Sequence, residues 1–413
     1  VMSKVFTSAQ ILLPASQIDR SKWAVIACDQ FTSEPEYWKQ VEEKVGESPS
    51  TLSLIYPEVY LGGDDSRISK IRDTMIQYLR DGVFDTAVED GYVFVIRTTE
   101  SGRRLGLVGA LDLEAYDFHP DRKALVRATE QTVASRIPPR MKVRLDASVE
   151  SPHVMVLMED IRYHILRDLS RKTDTLDKLY DVELMLGGGH LEGYAVTGQE
   201  AQHLNVLFDE MEDRCGGLLF AVGDGNHSLA TAKACWEEIK KNLSDEEARS
   251  HPARYALVEL CDLHDPSLVF EPIHRILFGG QMDAVTEYFE KALQREGMSL
   301  VPGDEIVFTQ GDMRRQTAIQ GRGDRLPVEI LQKVLDAYLE EHSEVEIDYI
   351  HGTDSLNKLV EESGGLGIAL QAIDKQSLFP AIQAGGVLPR KTFSIGEAHE
   401  KRYYMECHNI QVE

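Results

Sequence analysis

The chain has 413 residues, 42% of them hydrophobic and 27% charged, with 69 acidic against 44 basic residues and a net charge of −25. That length and composition suit one large globular core or two to three smaller ones and exclude a disordered chain. So acidic a surface repels nucleic acid and anionic membranes at long range, and no apolar run approaches the roughly 20 residues that span a bilayer.

The five cysteines, Cys28, Cys215, Cys235, Cys261 and Cys407, show no C-x-x-C spacing. They read as reduced residues of a cytoplasmic protein, and no basic-then-apolar secretory signal is visible at the N-terminus.

In chain order, 5–13 and 23–28 (WAVIAC) predict strands, the second leading straight into Asp29, Gln30, Phe31 and Thr32. Polar residues at the end of a buried strand are where open α/β sheets place ligands. Helices follow at 34–45 and 66–81, then a strand pair at 91–98 and 104–111. Between Arg122 and Arg144, seven basic residues fall within 23 positions, interleaved with Thr129, Thr132 and Ser135. Arginine forks among hydroxyls hold phosphates or carboxylates, although the same run also suits a solvated loop paired with the chain's own acids. HVMVLM (153–158) predicts a buried strand, 160–181 a mixed-charge helical segment, and the Gly187-Gly188-Gly189 run a loop. A helix is expected over 198–213.

The stretch 216–241 carries the clearest signal. A glycine-bounded apolar run (218–222) turns through Gly223-Asp224-Gly225-Asn226-His227-Ser228 into a helical pattern. A helix start offers free N–H groups and positive dipole to an anion. The plainer alternative is a glycine-rich connection capped by Asn226 or Ser228. Beyond it come strands at 254–261 and 269–278, the latter presenting His274 and Arg275, and helices at 283–296 and 328–342. Strand, helix, strand and helix then follow at 345–350, 355–363, 367–372 and 377–384.

The alternation predicts a mixed α/β (α+β) protein. The expected division is a main α/β domain over 1–280, with a helical arm near 160–213, and a C-terminal α/β portion over 281–413. No G-x-S-x-G, H-E-x-x-H or G-x-x-x-x-G-K-[ST] motif is present. The inventory of Asp29, the basic run and the 223–228 turn suits phosphoryl transfer, in which the protein positions and neutralises phosphates.

Five stretches in order, ACDQFTSEPEYW (27–38), RATEQTVASRIPPR (127–140), GDGNHSLATA (223–232), EPIHRIL (271–277) and VLPRKTFSIGEAHEKRYY (387–404), resemble the bacterial and archaeal family called domain of unknown function 1015. Its members typically carry Asp-Gly-His-His-Arg where this chain has Asp224, Gly225, Asn226, His227 and Ser228, so Asn226 and Ser228 depart from the pattern. That turn is similar to the nucleotide-binding turn of the ParB and sulfiredoxin group, which includes enzymes that phosphorylate free L-serine.

The resemblance implies a ParB/sulfiredoxin-like nucleotide-binding core and a kinase of a small hydroxyl metabolite, using ATP or ADP with Mg²⁺. Asp29, Asp224 and His227 then stand as catalytic candidates, with Asp29 as the base and Asp224 at the metal. Gly223, Gly225, Asn226, Ser228, Arg127, Thr129, Glu130, Thr132, Arg136, Arg140, His274 and Arg275 stand as nucleotide-binding candidates. The implied partners are a small-molecule substrate and the nucleotide, not nucleic acid or membrane, in a chain compatible with a homo-oligomer. A non-catalytic binder of nucleotide or anionic metabolite, and a phosphatase or other hydrolase, are the alternatives.

Overall fold

Most apolar runs of the first 268 residues become strands of one sheet buried on both faces. Along strand Phe84–Thr99, Tyr92, Phe94 and Ile96 join one apolar cluster while Val93 and Val95 join another. Alternate side chains of a strand point to opposite faces, so a run with no polar residue reports a sheet covered on both sides.

The protein was analysed as a computed structural model, which describes residues 4–412. It divides into two units, one of Val1–Leu268 with Gly396–Glu413 and one of Val269–Ile395. The expected division near 280 therefore falls about ten residues earlier, and the last segment of the chain belongs with the first unit.

The first unit holds an 11-stranded sheet. Its path runs Tyr116–Asp117, Val126–Ala128, Phe220–Asp224, Met155–Met158, Tyr255–Asp262, Gly102–Asp112, Phe84–Thr99, Gly189–Thr197 and Lys178–Leu184. Phe220–Asp224 lies parallel to Val126–Ala128 and antiparallel to Met155–Met158. One face packs on Trp23, Trp38 and the helices Pro35–Val45 and Ser66–Arg80; the other packs on Phe208, Leu229 and Trp236 from the helices Gly198–Arg214 and Asn226–Lys240.

Three expectations change. The segment 160–213 is not a helical arm: between the helices Ile165–Ser170 and Gly198–Arg214 it forms the hairpin Lys178–Leu184 and Gly189–Thr197, paired to the main sheet. The polar residues of Lys178–Leu184 alternate with buried ones, which is the strand period. Strand Phe84–Thr99 begins seven residues earlier than expected, because Ala9–Pro14 pairs with its polar first half. WAVIAC is not a strand of the sheet. Trp23 ends a short helix, and the extended residues after it make a single bridge, Ile26 to Tyr403.

Buried charge holds the C-terminal segment in place. Arg402 lies between Glu406 (2.6 Å) and Glu259 (3.6 Å), and Arg104 reaches the same Glu259 at 3.6 Å. Burial opposes the Arg402 charge, yet the two carboxylates outweigh it and raise its pKa. Arg97 donates to the carbonyls of Gly188, His399 and Lys401 at 2.8, 3.0 and 3.1 Å. Gly106 is required beside this network, since a Cβ there would sit 2.3 Å from Glu259 Oε1.

The second unit is a 6-stranded antiparallel sheet ordered Met313–Gln320, Ser299–Gln310, Leu366–Leu370, Phe270–Phe278 and Glu346–His351, with Phe393–Ile395 paired to Phe270–Phe278. Its helices Met282–Arg295, Pro327–Glu341, Thr353–Ser363 and Leu378–Gly385 match the expected ones within a few residues. Among the described residues no helix is long and apolar enough to cross a membrane.

One buried acid makes the first unit pH-sensitive. Asp262 is fully buried at the end of its strand; its Oδ1 accepts the His264 N–H at 2.9 Å and its Oδ2 has no partner. Burial first, then the Asp160 and Asp265 carboxylates, push its pKa up to about 7 despite the backbone N–H groups that oppose the rise. A carboxyl with a raised folded pKa supports the fold while protonated, and that support is lost as pH rises from about 4 through about 7. Asp262→Asn is therefore expected to raise stability at pH 8, by on the order of 4 kcal/mol at most, and to gain little at pH 4. Thermal melts of both proteins across that range check it.

Candidate active site

The 223–228 turn forms where Phe220–Asp224 hands over to the helix Asn226–Lys240. Gly225, not Asn226 or Ser228, is the N-cap: its φ of 80° is left-handed, and it has no side chain to close the helix start. The first helical bond runs from Leu229 N–H to Gly225 O at 3.0 Å, so the N–H groups of 226–228 precede the ladder. Thr129, at the end of the neighbouring parallel strand, donates to Val222 O at 2.7 Å and accepts from the Asn226 amide at 3.4 Å. His227 Nε2 accepts the Val133 N–H at 3.2 Å, which leaves that nitrogen bare and ties the 129–133 loop across the helix start. Asn226 Oδ1 and Thr132 Oγ1 are buried there with no protein partner, which is unusual for buried polar atoms.

Asp29 reaches the same place. Gln30 donates to its Oδ1 at 3.2 Å, and its Oδ2 lies 3.8 Å from His153 Nε2. The glycine of the turn meets the same ring: a Cβ on Gly225 would lie 3.5 Å from His153 Cδ2, the ring atom bonded to Nε2. Asp29 and Gly225 thus both approach one edge of a buried imidazole. The ring is fixed from behind. The Cys28 N–H donates to the Tyr404 hydroxyl oxygen at 2.9 Å, and that hydroxyl is hydrogen-bonded to His153 Nδ1, 2.9 Å away, so Nε2 is the ring nitrogen facing Asp29. Burial pushes the Cys28 thiol pKa well up. Next to Asp29, Phe31 holds a left-handed φ of 51° and stacks on Tyr37 at 3.8 Å. Such backbone in a non-glycine residue is uncommon and clusters at functional sites.

The basic run behaves differently from its composition. Arg127 is buried and donates to Ala124 O (2.7 Å) and Gly217 O (3.0 Å), at the strand end away from the turn. Its guanidinium is a strut between two carbonyls. Arg140 is paired with Glu58 and donates to Arg136 O at 2.6 Å, while Arg136 itself is exposed. Thr129 and Thr132 are at the turn; Glu130 is half-buried beside them. His274 and Arg275 lie in the second unit. His274 Nδ1 accepts the Leu370 N–H at 3.0 Å, and Arg275 donates to Gln332 Oε1 at 3.0 Å, both within that unit's core. Burial lowers both of their pKa values. They serve the sheet of the second unit.

Three site residues carried no signal of their own in the sequence: His153, Lys401 and Tyr404. Lys401 brings its ammonium to 3.4 Å from Asp224 Oδ2, while Oδ1 accepts the Gly225 N–H at 3.0 Å. Both oxygens of Asp224 are thereby engaged, and among the described residues no three His, Cys, Asp or Glu side chains converge on a metal position.

Gly225→Ala is expected to cost about 1–3 kcal/mol, because the residue is left-handed and its new Cβ would press on Val154 at 3.1 Å. Chemical denaturation measures that loss, and a neutral result would mean that the turn is not held as described.

Comparison with known proteins gives loose structural likenesses. A conserved hypothetical protein from Pyrococcus furiosus aligns with a TM-score of 0.34 and 10% identity, covering 74% of this chain and 95% of that one. A free serine kinase in complex with AMP aligns at 0.38 and 10%, covering 74% and 91%. SbnI with C-terminal truncation from Staphylococcus aureus aligns at 0.33 and 11%, covering 74% and 86%. Scores this low bear no weight on what the chain does. No curated protein matches. A family model described as "Protein of unknown function (DUF1015)" matches residues 12–344, most of the chain, and the protein belongs to that family.

Proposed function

We propose that the protein is a phosphotransferase that uses ATP or ADP to phosphorylate a hydroxyl of a small metabolite, free L-serine being the first candidate. The observation that carries this reading is the approach of Asp29 and the Gly225 turn to the same edge of His153. Phosphoryl transfer needs an anion holder and a carboxylate close enough to serve the same substrate. The helix start offers N–H groups and the positive end of a 15-residue helix to the phosphates. Asp29, about a third exposed, is open to a substrate hydroxyl.

In the transfer the substrate oxygen forms a bond to the terminal phosphorus, and the bond from that phosphorus to the nucleotide's bridging oxygen breaks. The hydroxyl proton passes to Asp29. His153 borders that carboxylate, with Nε2 at 3.8 Å from its Oδ2. The likeness of the turn to the ParB and sulfiredoxin group supports the nucleotide half of this reading; the chain's own contacts support the rest.

A second reading, nucleotide or metabolite binding without turnover, is favoured by the engagement of Arg127 and Arg140 in internal contacts. Turnover separates the two. Titration calorimetry with ATP and with ADP, each with magnesium, is expected to show binding; none at millimolar nucleotide sinks the phosphotransferase and leaves only a binder of another metabolite. Asp29→Asn is expected to leave the nucleotide affinity within about threefold and to lower kcat by ~10² or more. Glu340→Ala, on an exposed face of a helix in the second unit, is expected to change neither.

A further inference from the structure

The C-terminal stretch 387–404 was a motif of the sequence to which the reading above gives no part. In the structure it delivers Lys401 to the turn. The Lys401 side chain is 17% exposed and that of Asp224 21%. Its position does not depend on its own charge. Its carbonyl accepts from Arg97 at 3.1 Å, and the neighbouring Arg402 is locked between Glu406 and Glu259.

The basic residues that composition favoured are occupied or turned outward. Arg127 spans two carbonyls, Arg140 is paired with Glu58, and Arg136 is exposed at the cap of the Ile137–Arg144 helix. Lys401 has its charge at the turn itself. An ammonium carries three donors, and a carboxylate at 3.4 Å meets one of them. Asp224 meanwhile sits as an anion does at such a turn: one oxygen takes a backbone N–H of the helix entrance and the other takes the lysine.

We propose that Lys401 is a phosphate-binding residue of this site, and that Asp224 is its resting counter-ion, displaced when a phosphoryl group of the nucleotide arrives. The proposal rests on the nucleotide reading given above and adds the residue that holds the anion. A phosphate oxygen carries more charge than a carboxylate oxygen and accepts from several donors at once. It takes over the ammonium and draws on the N–H groups of the helix start together, which Asp224, tethered to the strand end, does through a single N–H. Binding is therefore an exchange of one anion for another at fixed positive groups.

Calorimetric titration with ADP and with inorganic pyrophosphate tests this on the full chain. Lys401→Met is expected to weaken ADP and pyrophosphate binding by on the order of tenfold or more, Lys401→Arg to stay within about threefold. Asp224→Asn, which removes the competing anion but keeps the N–H acceptor, is expected to tighten pyrophosphate binding. If the wild type binds ADP and Lys401→Met binds it equally well, the proposal is overturned and the nucleotide reading stands. If the wild type ignores ADP yet binds pyrophosphate in a Lys401-dependent way, the nucleotide reading falls and the anion role stands. Binding of neither probe removes both. Thermal melts accompany each variant. Should Lys401→Met unfold, Asp224→Asn decides: weaker or unchanged pyrophosphate binding shows that the pair is structural and overturns the proposal.

Discussion

Arg402 is a charge buried in the interior of the first unit, and that placement constrains everything near it. A buried guanidinium is tolerated only when carboxylates and carbonyls surround it, and breaking such a pair typically costs 3–5 kcal/mol because the partners are left charged and dry. Here the partners are Glu259 on a central strand and Glu406 on the same terminal segment, with Arg104 sharing Glu259. Tyr180, from the Lys178–Leu184 strand, closes the far side of Glu406. Detaching the C-terminal segment would leave Glu259 in the core without Arg402. That is why residues 396–412 belong to the first unit although the whole second unit precedes them in sequence.

The same segment supplies the back wall of the candidate site. Arg402 O accepts from Ala27 N–H and Tyr404 N–H donates to Val25 O, so the segment leading to Asp29 is bonded to the tail rather than to the sheet. Tyr404 fixes the His153 ring, His153 faces Asp29, and Lys401 faces Asp224. Stability and chemistry therefore share one element. The buried ion cluster sets the height of the tail, and the tail sets the spacing between the carboxylate and the turn. A site assembled this way gains precision from the core without adding rigid elements of its own.

What the sequence made legible was local. The 223–228 turn announces itself because a glycine-bounded apolar run followed by a 3.6-residue period describes a strand entering a helix without reference to the rest of the chain. Asp29 was legible for a related reason, as the first acid after a buried run, although that run proved to be an extended strap and not a sheet strand. The arginines misled because composition counts charges and not their owners. Glu58 lies 82 residues from Arg140, in a segment with no pattern to mark it, and the carbonyls that hold Arg127 are invisible in any sequence. His153, Lys401 and Tyr404 were hidden for the same reason, since each acquires its role from a contact more than 70 residues away. The hairpin Lys178–Leu184 and Gly189–Thr197 was masked differently. Its charges suggested a solvated helix, while its burial alternates with the period of a strand.

Net charge sharpens the question of how such a protein admits an anion. At −25 the molecule repels phosphates at a distance, but that field is screened beyond about 8 Å at physiological ionic strength. Attraction must come from the last few ångströms, where the helix entrance and the Lys401 ammonium act. An unpaired lysine at a helix start would collect any small anion. Pairing it with Asp224 sets a threshold: a singly charged anion offers little that the resident carboxylate does not already offer. A diphosphate brings more charge and several acceptor oxygens, so it can meet the ammonium and the backbone N–H groups at once. On the proposed reading, the acidic partner at the mouth of the site is thus compatible with anion binding and favours the anions that a nucleotide carries.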